Sequence, residues 1–117
     1  MEIRLQAIAK AKKGAVPESL RKVVVEHLDR VECTYLCLDG KQKKGRNPGW
    51  ARIKATAEWA SEYRGVLKIE WLAEQRMLVA RAETRGANTP HLLMGAFVHY
   101  LMEFHGKRIH SINIQLS

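Results

Sequence analysis

A chain of 117 residues suits one domain spanning 1–117, large enough for a single core and too small for two. Twenty Lys and Arg against twelve Asp and Glu give a net charge of +8, which favours an anionic partner, and an apolar content of 46% argues against disorder. The longest apolar run falls short of the about 20 residues a membrane span needs, and Met1-Glu2-Ile3-Arg4-Leu5 does not open a secretory signal, so a cytoplasmic protein without membrane contact is expected.

Residues 2–13 combine good helix formers (Glu, Arg, Leu, Gln, Ala, Lys) with a stop at Gly14, and this composition tips the segment towards helix. Ile3, Leu5 and Ala7 nevertheless alternate as in a strand. Over 17–31, Leu20, Val23, Val24, His27, Leu28 and Val31 recur at three and four, with Arg21, Lys22, Glu26, Asp29 and Arg30 opposite. The spacing predicts an amphipathic helix on which His27 is a hydrogen-bonded edge residue.

A short strand is expected over 33–38, ended by the turn signal Asp39-Gly40. It holds both cysteines, Cys33 and Cys37. Four residues of strand separate their alpha carbons by roughly 13 Å, beyond the about 7 Å reach of a disulfide, so two reduced thiols are expected. Over 40–49 Pro48 is the only apolar side chain, and Lys41, Lys43, Lys44 and Arg46 accumulate without an acid, which predicts an exposed basic loop.

From Trp50 the period becomes two: Ala51, Ile53, Ala55, Ala57 and Trp59 face one way and Arg52, Lys54, Thr56 and Glu58 the other. Strands over 66–72 and 76–83 follow after short connections, a pattern that predicts an antiparallel meander with one wet face. Thr89 is placed to cap a strongly apolar helix over 90–105, with Pro90 at its first position and Gly106 as a left-handed stop. A last strand over 108–116 alternates Ile112, Ile114 and Leu116 with Ser111, Asn113 and Gln115. The expected fold is α+β, a two-layer sandwich with helices on one face of a mostly antiparallel sheet of four to five strands.

Catalytic and metal signals are weak. His99 and Glu103 are four apart on the last helix and His91, His105 and His110 stand near it, but no His-x-x-x-His or His-Glu-x-x-His occurs, so His99 and Glu103 read as the residues left for solvent. Gly40 and Gly45 have phosphate-loop spacing, yet Arg46-Asn47 stands where Lys-Ser or Lys-Thr belongs. No catalytic residue, cofactor or metal is expected.

The helix, three strands, helix order superficially resembles the double-stranded-RNA-binding module. That module places lysines at the start of its last helix, where Thr89-Pro90-His91-Leu92 stands here, and a further strand ends this chain, so the family is not carried over.

Three expectations remain, one of them a small enzyme using His99, Glu103 or the cysteines, beside the two that follow. Lys41, Lys43, Lys44, Arg46, Trp50, Arg52 and Lys54 combine basic side chains with an aromatic ring and suggest non-enzymatic binding of RNA or DNA, with Arg64, Lys68, Arg76 and Arg81 extending the face. The last helix shows a second apolar side (His91, Met94, Val98, Met102) beside the one built from Leu93, Phe97, Tyr100 and Phe104, which suggests a homo-oligomer whose subunits meet at Met94, Val98 and Met102 near Gly95.

Overall fold

A computed structural model describes residues 2–11, 18–40, 51–83, 86 and 89–116. The elements run β1 (Glu2–Ala9), α1 (Leu20–Arg30), β2 (Leu36–Leu38), β3 (Ala51–Ala55), β4 (Val66–Leu72), β5 (Met77–Glu83), α2 (Pro90–His105), a 3-10 turn at Gly106–Arg108, and β6 (Ile109–Leu116). The six strands form one sheet in the order β2-β3-β4-β5-β1-β6, with every neighbouring pair antiparallel. The α+β class stands as expected, with six strands instead of four or five.

The extra strand is β1, which corrects the helix expected over 2–13. Ile3, Leu5, Ala7 and Ala9 are all buried, whereas Glu2, Arg4, Gln6 and Ile8 turn to the other side. Between β5 and β6, β1 makes two ladders, pairing Leu5 with Ala80 on one side and with Ile114 on the other. Those backbone bonds and buried side chains outweigh a helical preference of a few tenths of a kcal/mol per residue.

Both helices lie on the face that carries Leu5. Helix α1 starts at Ser19, whose hydroxyl accepts from the Lys22 N–H at 3.2 Å, and it buries Leu20 and Val24. It packs on β2, β4 and β5, while α2 packs on β1, β4 and β5. From α2, Leu93, Met94, Phe97, Tyr100 and Leu101 are at most 2% exposed and meet Leu5, Ile53, Leu67, Ile69 and Leu78 in one core.

Four local expectations are corrected. Thr89 does not cap α2 with its side chain; its hydroxyl donates to the Glu62 carbonyl and accepts from the Arg64 N–H, both at 3.0 Å, tying the helix start to the 62–64 segment. Gly106 has φ −55° and leads into the 3-10 turn instead of stopping the helix in a left-handed conformation. The strand β3 ends at Ala55, and Trp59 stacks on Tyr63 in the turn beyond it, ring centroids 5.7 Å apart. The strand expected over 33–38 also shrinks to Leu36–Leu38, and Cys33 and Cys37 are free thiols.

Leu5 sits in a strand paired on both sides and is 0% exposed, so truncation leaves a cavity that cannot easily collapse. Leu5→Ala is expected to cost about 2–5 kcal/mol in urea unfolding followed by circular dichroism, whereas Leu92→Ala, on the exposed side of α2, should cost less than about 1 kcal/mol. Equal costs would contradict the placement of the core.

Candidate functional site

Among the described residues no helix covers the other face of the sheet. Residues directly opposite in an antiparallel ladder share a face, so the register lets this surface be read row by row. One row runs Arg52, Lys68, Arg81, Arg4, Gln115, taking one residue from each of β3, β4, β5, β1 and β6. Four basic side chains thus stand side by side across four strands. The next row is Glu70, Val79, Gln6 and Asn113, and the one after it Leu72, Met77, Ile8 and Ser111. On the other flank Lys54 pairs with Val66 and with Cys37.

Acids temper the row without filling it. Glu2 lies 3.6 Å from Arg4 and 3.8 Å from Arg81, and Glu70 lies 3.7 Å from Arg81. Lys54 pairs with Asp39 at 3.5 Å. The register also sets Glu83 opposite Glu2 at the end of β1. Arg81 and Arg4 are therefore held by neighbours, whereas Arg52 and Lys68 project, exposed, from the row. Val79 is only 3% exposed although the register places it on this face, between Glu70 and Gln6.

Of the expected nucleic-acid residues, Arg52 and Lys54 lie on the open face, and Lys68 and Arg81 join them. Arg64 and Arg76 are in connections between elements, Arg76 with a left-handed φ of 52°. Lys41, Lys43, Lys44, Arg46 and Trp50 lie outside the described residues. Arg4 was missed by the sequence reading, since a helix over 2–13 would have removed it from the sheet. The alternation of Glu2, Arg4 and Gln6 with Ile3, Leu5 and Ala7 was the available signal.

The expected oligomer residues separate. Met94 is 2% exposed and packs inside its own chain, so it cannot meet a second subunit; Val98 is half-buried and Met102 is 60% exposed.

A second polar cluster lies inside the helix layer. The Tyr100 hydroxyl is 2.7 Å from Nδ1 of His27 and 2.9 Å from Nε2 of His105, and the ring of Phe104 lies 4.8 Å from that of His27. Having one proton, the hydroxyl donates to one imidazole and accepts from the other. Burial pushes the Tyr100 phenol up and draws His105 down to about 4, with the neighbouring His27 and Arg108 adding to the latter. On the outer side of α2, Glu103 accepts from the Tyr35 hydroxyl at 3.0 Å and stands 3.1 Å from Nε2 of His99. His99 and Glu103 are exposed, as residues left for solvent should be. Among the described residues no three His, Cys, Asp or Glu side chains are grouped to hold a metal ion, and no helix is long and apolar enough to cross a membrane.

The buried His105 makes stability depend on pH. Its folded value lies below the ordinary 6.5, so the unfolded chain binds the proton more readily; stability is present above pH 6.5 and is lost as pH falls towards 4. Between pH 7 and pH 5 the loss should reach roughly 2 kcal/mol in urea unfolding. His105→Gln, which keeps a neutral hydrogen-bonding group, should flatten that difference. An unchanged pH profile in this variant would remove His105 as its source.

No family model, curated protein or solved structure matches this chain.

Proposed function

We propose that the protein is a non-enzymatic binder of single-stranded nucleic acid, holding the phosphate backbone along the open face of its sheet. The observation that carries this reading is the row Arg52, Lys68, Arg81 and Arg4, one residue from each of four adjacent strands. With strands about 4.8 Å apart, the row spans about 14 Å, a length matched by about four nucleotides at a rise of 3.4 Å. Gln115 continues the line to the sheet edge and adds an amide that can donate or accept.

Rigid strands hold these side chains at fixed spacing, so little backbone entropy is lost on binding. Contacts of this kind go to phosphates and carry little sequence preference. The apolar side chains of Leu72, Met77 and Ile8, two rows away, offer a surface to bases. The overall charge of +8 draws a polyanion towards the molecule before any contact forms. Lys41, Lys43, Lys44 and Arg46 would add positive charge for the same partner.

The test is fluorescence anisotropy with labelled oligo-U and oligo-dT over a series of salt concentrations. Three or four phosphate contacts predict a slope of log affinity against log salt of about −2 to −3. The double substitution Arg52→Glu with Lys68→Glu leaves the Glu2 and Glu70 ion pairs in place and should reduce the magnitude of that slope by about 1.4 or more. Wild-type affinity retained by this variant, or the absence of binding by wild type at low salt, would reject the sheet face as the interface. Loss of binding only when the four loop charges are reversed would move the site to the loop.

A further inference from the structure

The two edges of the sheet differ. At one end β2 is three residues long, and the sheet is closed off there by brevity. At the other end β6 runs for eight residues, from Ile109 to Leu116, with β1 as its only strand neighbour among the described residues. It contains no Pro, no Gly, and no Lys, Arg, Asp or Glu, and its one irregularity, a register shift against β1 between Ile109 and Ser111, precedes Ile112–Leu116, so that stretch carries none of the usual devices that keep edge strands apart. Its Ile112, Ile114 and Leu116 lie opposite Ala7, Leu5 and Ile3 on the helix side, yet exposure rises along the strand to 50% at Ile114 and 69% at Leu116.

We propose that this edge is a self-association surface: the β6 strands of two copies pair antiparallel about a two-fold axis perpendicular to the sheet, joining two six-stranded sheets into one. Such an axis keeps each residue on its own face, so only partners separated by an even number can oppose one another. The register centred on Ile114 is self-complementary. Ile114 meets Ile114 of the second copy and Ile112 meets Leu116, while on the open face Asn113 meets Gln115, amide against amide.

A second copy is the occupant that fits by charge. Each chain carries +8, so most faces of the molecule repel their like, but the Ile112–Leu116 ladder brings no charged side chain opposite another. Lys107, Arg108 and His110 precede the paired segment and stay outside it. This interface does not depend on nucleic-acid binding, and it replaces the surface built on Met94.

Sedimentation equilibrium at on the order of tens of micromolar, a range in which interfaces of modest size associate, tests it. Wild type should give twice the 13.4 kDa chain mass. Ile114→Lys and Ile114→Glu, each placing like charges across the axis, should each be monomeric with unchanged far-ultraviolet circular dichroism, and their equimolar mixture should recover the dimer. A monomeric wild type, a dimer that survives Ile114→Lys, or a mixture that stays monomeric would overturn the proposal. Should the charged variants not fold, Ile114→Cys supplies the second reading: directly paired alpha carbons lie about 4.5–5.5 Å apart, within disulfide reach, so mild oxidation should cross-link this variant and not wild type. Failure to cross-link would likewise reject the register.

Discussion

Two helices have to cover six strands, and the shortfall shapes the surface of this protein. Strands about 4.8 Å apart put β2 and β6 about 24 Å from one another, whereas two helices each about 10 Å across cover about 20 Å. Coverage by α1 and α2 falls on β1, β2, β4 and β5. The deficit appears at β6, whose helix-side residues become progressively exposed. Among the described residues no helix covers the opposite face.

That geometry divides the second apolar side expected on the last helix. The last helix looked too apolar for one sheet to cover, but Met94 and Leu101 are both buried within the subunit. Helix α1 accounts for part of this, since its His27 reaches Tyr100 and Phe104 on α2. Leu92, Met102 and Phe104 of α2 nevertheless stay exposed at 42%, 60% and 41%, so uncovered apolar surface is shared between this helix and β6. Helical wheels report how much of a helix is apolar; they do not report how many neighbours share the burial.

Much of the fold was legible where local pattern and tertiary context agree. The bounds expected for the last helix coincide with α2, those for 66–72 with β4, and the alternation over 108–116 marks β6. Residues 2–13 were misread because propensity and alternation disagreed there, and the partners that decide the matter, β5 and β6, come from the far end of the chain. The site was legible only in pieces for the same reason. Arg52, Lys68 and Arg81 could be assigned to strand faces from alternation, but their order in one row follows from register, and register is set by pairing. The Tyr100 cluster escaped because His27 comes from another element and meets Tyr100 and His105 of α2 only in the folded chain.

The location of β1 also bears on how the chain folds. This strand leaves the N-terminal end of the sequence and finds its partners in β5 and β6, with α1, the other three strands and α2 intervening. During synthesis β3, β4 and β5 can pair as a local meander while Ile3, Leu5 and Ala7 have at most one neighbour to dock on, and that one only after β5 emerges. Closing such a loop has an entropic cost that is repaid only when the long-range ladder forms, which favours slow folding. The apolar stripe of β1 therefore stays exposed for much of elongation, and the nascent chain is most vulnerable to aggregation or chaperone capture in that interval.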